Sequence, residues 1–378
     1  MKVLFAILVV TCVANGIGSG VVNGQTLFEE VAELPKGFFV KGLSGDGSTV
    51  VGGLGKEVAH PRAAYCTYDV PNSRWLTHTL PETTPEVSTS VATASTFDGK
   101  TMVGYCWEDR KKVAVKWTWN SENEEYDVTA LPFGKPQMTG EAEHTQAHPH
   151  SLSHDGNVVV GYSGPYGGDY RAVAWRGTDT IVLKQMKLAE KFKTAKSVAI
   201  SADGRVVAGT MGETSHENKL FIWDGSDETI APVDKTGFDG HLRCISPDGV
   251  LIGVTRQDNA YLWTGSAVQP TPLKKMGAGQ EFTSLEIYGI GGIAPHYRII
   301  GSGNEGEEAE SAYTHDGQAD THAQSLRLAF EESERPFSEW RRTNALAISA
   351  NGKWVVGMAS DTVKAGVELD KGWIAELK

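Results

Sequence analysis

One short phrase recurs along this chain: a small or apolar residue, Ser, any residue, Asp-Gly, then an apolar pair closing on Gly. Ile200-Ser201-Ala202-Asp203-Gly204-Arg205-Val206-Val207-Ala208-Gly209 is one copy. The closing glycines are Gly52, Gly104, Gly161, Gly209, Gly253, Gly301 and Gly357, at successive spacings of 52, 57, 48, 44, 48 and 56 residues. A unit that returns in this way cannot bury its apolar face alone and must stack on its neighbours.

A second element follows the glycine, an apolar run carrying an aromatic: Ala114-Val115-Lys116-Trp117, Ala172-Val173-Ala174-Trp175, Leu220-Phe221-Ile222-Trp223 and Ala260-Tyr261-Leu262-Trp263. Each period then reads as four short strands: an inner one before Asp-Gly, the Val-Val-Gly strand, the aromatic strand, and an outer one such as Val128-Thr129-Ala130-Leu131-Pro132. Asp-Gly makes the tight turn between the first two. Blades of β-propellers run to about 40–50 residues, so the expected fold is all-β: a seven-bladed β-propeller of four-stranded antiparallel blades. The Val-Val-Gly runs lack the 3.6-residue period that a helical solenoid requires.

The last period ends at Trp373-Ile374-Ala375-Glu376-Leu377-Lys378, before any outer strand. Upstream of the first period, Leu27-Phe28-Glu29-Glu30-Val31-Ala32-Glu33-Leu34-Pro35 reads like the outer strands that end in Leu80-Pro81 and Leu131-Pro132. The segment from about residue 25 to 35 is therefore expected to complete the last blade and close the circle, leaving no open sheet edge.

The phrase resembles the bacterial extracellular HAF repeats, whose consensus runs approximately Ala, Ile, Ser, any residue, Asp-Gly, Val-Val-Gly and a later Ala-Phe-x-Trp. The resemblance covers residues 38–378. Good copies stand at 42–52, 151–161, 197–209 and 345–357, whereas the sixth, at 287–301, lacks Asp-Gly. It implies a repeat-built surface or secreted protein and no particular reaction.

Targeting and charge agree with that class. Met1 to Gly24 has one lysine, an apolar stretch from Val3 to Val13 and then small residues, the organisation of a secretory signal peptide. That stretch is too short to span a bilayer. Cleavage is expected after Gly16, Gly20 or Gly24, with Gly24 favoured, leaving one propeller domain over residues 25–378. Cys12 falls too early for a lipoprotein. Loss of Lys2 takes the net charge from −12 to −13, which argues against nucleic acid as a partner. The predicted location is extracellular or periplasmic; oligomeric state is left open.

Three cysteines follow the leader. Cys66 and Cys106 occupy neighbouring periods and are a candidate disulfide in an oxidising compartment; the alternative is two buried thiols. Cys244 aligns with Ala94, Ser151, Ala199 and Ala347, a position where converging inner strands leave little volume. The repeated Asp46, Asp98, Asp155, Asp203 and Asp248 are read as turn caps. Glu305-Gly306-Glu307-Glu308-Ala309-Glu310 is read as a solvated loop.

Propellers bind at a mouth of the central channel. Five residues before each repeat Ser (Thr96 in the second copy) stand Phe39, Val91, His148, Lys196, His241 and Asn344, four of them polar without packing need. Glu141, Glu143, His144, His148, His150 and His154 crowd the start of the third repeat. His148 and His150 face one direction on a strand. No cofactor is expected; a divalent metal held by these two is the alternative. His154 is read as exposed.

The loop Tyr162-Ser163-Gly164-Pro165-Tyr166-Gly167-Gly168-Asp169-Tyr170-Arg171 offers aromatic faces of the kind that suit sugar rings. Arg256, Asp258 and His216 lie in equivalent loops, with His60 and Arg62 in the first. Two functions follow. One is a glycan- or protein-binding module using His148, Lys196, His241, Asn344, Tyr166 and Tyr170. The other is a polysaccharide lyase performing β-elimination on a uronic-acid glycan, where Lys196 or Arg256 neutralises the carboxylate and His148, His150, His241 or Tyr162 moves protons. No Gly-x-Ser-x-Gly elbow supports a serine nucleophile.

Overall fold

The computed structural model describes residues 21–22, 25–26, 28–55, 60–136, 142–177, 179–185, 194–212, 218–224, 229–230, 240–257, 259–264, 271–273, 276–277, 280–305, 309–317, 323–326, 340–361 and 371–378. The leader expected over residues 1–24, except Val21 and Val22, lies outside them, as do Cys12, Glu141, His216 and Asp258.

Antiparallel meanders make up the protein. In blade 1, Phe38–Leu43, Thr49–Leu54, Arg62–Asp69 and Arg74–Thr79 pair in that order. The innermost strands of the next six blades are Thr89–Ser95, Gln146–Leu152, Thr194–Ile200, His241–Ile245, Gln280–Ile293 and Arg342–Ile348. Seven clusters of buried apolar side chains fill the seams. Val51, Ala63, Met102 and Trp117 join blades 1 and 2; Val103, Leu152, Val173 and Trp175 join 2 and 3. The series continues through the 3/4, 4/5, 5/6 and 6/7 seams to Val50, Cys66, Val356 and Ile374 between blades 7 and 1. The ring is closed.

Its closing device is the expected one. Phe28–Glu33 pairs antiparallel with Lys371–Leu377 as the outer strand of blade 7, with Val31 opposite Ala375 and Glu33 opposite Trp373. The Leu34 amide donates to Gly372 O at 2.8 Å, as the Leu80 and Leu131 amides do to Ala63 and Ala114 in their own blades. The Leu-Pro ends also fasten neighbours: Trp117 Nε1 donates to Pro81 O (2.7 Å) and Trp175 Nε1 to Pro132 O (2.8 Å), each across a seam.

The repeated phrase builds two features. At the turn, Ser201 Oγ donates to Asp203 Oδ1 (2.7 Å) and accepts from the Val206 amide (3.0 Å), while Asp203 Oδ1 also accepts from the Arg205 amide (3.0 Å). The same set of bonds recurs around Ser44, Thr96, Ser153, Ser246 and Ser349. Gly204 follows at φ +73°, a left-handed conformation that glycine adopts freely. Within each innermost strand a bulge falls three residues before the repeat Ser: Lys41, Thr93, His150, Val198 and Arg243, then Tyr288 and Leu346. It turns the carbonyl two residues earlier onto the closing glycine, where an added Cβ would stand 2.0 Å from Val91 O at Gly104 and 1.8 Å from Asn344 O at Gly357. The glycine is obligatory because no side chain fits under that carbonyl.

Of the two readings of Cys66 and Cys106, the pair of buried thiols holds. Cys66 and Cys106 are free and buried, and no disulfide joins them. Cys66 packs in the seam toward blade 7 and Cys106 in the seam between blades 1 and 2, so they stand on opposite faces of blade 1. Burial pushes each thiol up to about 12. Glu310, read as a loop residue, instead pairs with Arg342 at 3.0 Å.

Candidate functional site

The seven bulge residues line one central channel of about 420 Å³, together with His148, His154 and the repeat turns. Its two mouths differ in kind. At the turn-side mouth, backbone bonds run from blade to blade: Phe97 N to His154 O (3.3 Å), His154 N to Ala202 O (2.9 Å), Ala202 N to Pro247 O (2.8 Å), Gly292 N to Ala350 O (2.8 Å) and Ala350 N to Gly45 O (2.9 Å). Pro247 has no N–H to pass the chain to blade 6. Asp248 Oδ2 takes over by accepting from the Ala294 amide (3.1 Å) and Tyr297 Oη (2.7 Å). His154 is not the idle exposed residue expected: it is half-buried, with its ring 5.4 Å from Phe97.

At the opposite mouth, where the innermost strands begin, blades 2 to 4 raise a shelf of rings. Tyr105 and Tyr162 each follow their closing glycine, and each pairs with the inner-strand residue five before the repeat Ser or Thr. Tyr105 lies 4.8 Å from His148, His148 stacks on Tyr162 at 5.4 Å with 7° between planes, and Tyr162 lies 4.5 Å from Tyr170. His150, on the bulge, stands edge-on to His148 at 4.8 Å. Two ammonium groups cap these rings: Lys196 Nζ at 5.0 Å from Tyr162 and 5.2 Å from Tyr170, and Lys112 Nζ at 4.3 Å from Tyr105. Both lysines are half-buried, and among the described residues neither is paired with a carboxylate.

The electrostatics follow from that placement. Burial, with the charges of Lys196 and Lys112 added, brings His150 down to about 4. His148 is pushed in the same direction by burial, then by His150 and the two lysines. Both imidazoles are therefore neutral at pH 7. The His148 Nδ1 atom is buried without a hydrogen-bond partner of good geometry. Burial lowers both lysines, Lys112 further through the Lys196 charge. Tyr162 is raised to about 12, mainly by burial. The shelf offers two cations, two neutral imidazoles and three phenols.

Of the residues expected at this mouth, His148, His150, Tyr162, Tyr170 and Lys196 come together. Others do not. Asn344 uses Oδ1 to accept from the Met358 amide (3.0 Å), a backbone fastening within blade 7. His241 is exposed on blade 5 and Arg256 half-buried on the same blade, in a different sector of the disc from the shelf of blades 2 to 4. Tyr166 is 74% exposed at its loop tip, outside the shelf. His144 is buried with Nδ1 3.1 Å from Ser163 Oγ. Among the described residues no three His, Cys, Asp or Glu side chains gather as a metal site would require.

Two partners were not found from the sequence. Tyr105 had a signal, since it follows Gly104 as Tyr162 follows Gly161. Lys112 had none: the third strand of blade 2 delivers it through a single parallel bridge to Gln146 of blade 3. The blade 6 counterpart of His148 and Lys196 is Glu286, hidden because the sixth repeat lacks the Ser-x-Asp-Gly to count from. It is already neutralised, 3.1 Å from Arg243 and accepting from Tyr288 Oη at 2.7 Å.

No family model and no curated protein matches the sequence. Solved structures do resemble the fold. A chain from a structural study of two prolyl endopeptidases aligns at 9% identity and TM-score 0.51 over 88% of this chain and 46% of that one. The β-propeller domain of the trilobed protease from Pyrococcus furiosus gives 11% and 0.44 over 75% and 82%. TolB from Acinetobacter baumannii gives 11% and 0.45 over 73% and 63%. The chain thus spans less than two thirds of the TolB and endopeptidase chains, and at these identities the likeness is one of fold. Among the described residues no helix is long and apolar enough to cross a membrane.

Proposed function

We propose that this chain is a secreted β-propeller interaction module that binds a carbohydrate on the shelf of blades 2 to 4. The reading rests on one observation: the row of rings Tyr105, His148, Tyr162 and Tyr170, spaced 4.5–5.4 Å apart beside the opening of the channel. Sugars present apolar C–H faces to such rings and hydroxyl edges to flanking polar groups, here Lys112, Lys196 and the imidazoles. The leader-like first 24 residues and the HAF-type repeats support the secreted location. A glycan array read against the wild type and Tyr162→Ala tests the reading. Carbohydrate binding that falls about tenfold or more in the variant, while the variant still melts cooperatively, supports it; a wild type that binds no glycan removes it.

A lyase acting on a uronic-acid glycan is the second reading, favoured by the two imidazoles held neutral beside Tyr162 and by an ammonium placed to offset a substrate carboxylate. Unsaturated uronate, followed by its ultraviolet absorbance, would appear with the wild type and be lost with His148→Ala. An unchanged absorbance across a panel of acidic polysaccharides leaves the binding module alone.

A further inference from the structure

The shelf does not end at Lys112. Its ammonium, 4.3 Å from the Tyr105 ring, is also 5.4 Å from the ring of Trp107. Trp107 belongs to a second hollow, an open groove of about 880 Å³ bounded by blades 2 and 3, lined also by Asp109, Arg110, Lys111, Thr145 and the exposed Tyr166. A track of ring and ammonium contacts therefore leads from His148 in the channel wall through Tyr105 and Lys112 to Trp107, which lines the groove with Tyr166.

The groove is shaped by backbone as well as side chains. Asp109 and Arg110 take left-handed conformations, φ +44° and +66°. Gln146 Nε2 donates to Arg110 O (3.2 Å) and the Lys112 amide to Thr145 O (3.2 Å), which ties the turn of blade 2 to the first strand of blade 3. The groove lining holds Arg110 and Lys111 with one acid, Asp109, and Lys112 and Lys196 stand on the adjoining shelf, within a chain of net charge −12. Glu108, across the strand from Lys111, accepts from Thr83 Oγ1. A local basic strip on an acidic molecule selects its ligand by position.

We propose that the ligand is an acidic oligosaccharide several sugars long, laid radially from the channel mouth, its acid groups on Lys196 and Lys112 and its outer sugars on Trp107 and Tyr166. The inference deepens the binding reading and rests on it. A glycan that carries a carboxylate on only some of its sugars matches cations this sparse. A single-stranded nucleic acid would also stack on the rings, but it brings a phosphate at every residue to an acidic protein.

The test is calorimetric titration of the full chain with hyaluronan and unsulfated chondroitin oligosaccharides of increasing length, with chitooligosaccharides as the neutral series and oligothymidylate and polyglutamate as other polyanions. At least one acidic series should tighten with length. Trp107→Ala and Tyr166→Ala should flatten that dependence while leaving the shortest oligomers unaffected, and Lys112→Met should weaken acidic oligomers about tenfold more than neutral ones, the size of one charge-assisted contact. Binding that ignores length, or outer-ring variants that hold long oligomers as the wild type does, overturns the groove and leaves the shelf standing. No binding by any glycan overturns both. Equal affinity for oligothymidylate or polyglutamate reassigns the track to another polyanion and overturns the proposal.

Discussion

The two ends of the channel are made from the same seven strands and obey different rules. On the turn side, six copies of one Ser/Thr and Asp/Asn bonding pattern stand in a circle and pass backbone hydrogen bonds from blade to blade. On the other side the seven equivalent positions hold Phe39, Val91, His148, Lys196, His241, Glu286 and Asn344, six residue types in seven places. The most frequent residues of the chain are therefore the ones least concerned with ligands. Repetition marks what every blade needs in order to stand beside its neighbours, and chemistry collects where repetition lapses.

That contrast can be broken in four ways. Deleting residues 25–35 should have the largest effect, since it uncovers the edge of Lys371–Leu377 and destroys both mouths together; a soluble product with a cooperative melt would refute the closure. Acid should come next and act through the binding mouth. His150 titrates at about 4 in the fold against 6.5 unfolded, so between those values the unfolded chain holds more protons, and stability falls as pH drops from 6.5 through 4. The loss amounts to at most about 3 kcal/mol. Denaturant melts across that window should show a smaller decline for His150→Gln.

Smaller effects separate the mouths. Ser201→Ala removes a buried hydroxyl that donates to Asp203 and accepts from Val206, and should cost about 1–3 kcal/mol in urea unfolding while glycan affinity stays constant. Tyr162→Ala should move the other quantity, lowering glycan affinity about tenfold or more. If Ser201→Ala weakened binding as much as Tyr162→Ala does, the division between the two ends would be wrong.

The architecture was readable because each constraint is local and recurs. Asp-Gly, Val-Val-Gly and Leu-Pro each fix one turn, one bulge or one edge, and their spacing counts the blades. Even the closing strand announced itself through Leu34-Pro35. The site was half readable. His148, Lys196 and Tyr162 could be aligned from the repeat, but which blades matter depends on contacts between them, and Lys112 reaches the shelf through a single bridge that no period encodes. Asn344 looked like a site residue because a polar side chain at that position has no packing purpose; its task, holding the Met358 amide, exists only once the strands are paired.

The strand Phe28–Glu33 has a consequence for how this polypeptide is made. It leaves the ribosome ahead of every other strand of the disc and finds its partner, Lys371–Leu377, only after the other described strands of the disc have been made. Until then Phe28–Glu33 waits without its partner strand. A mutation that slows their meeting should reveal itself as yield lost during biogenesis, even where the finished molecule is as sturdy as before.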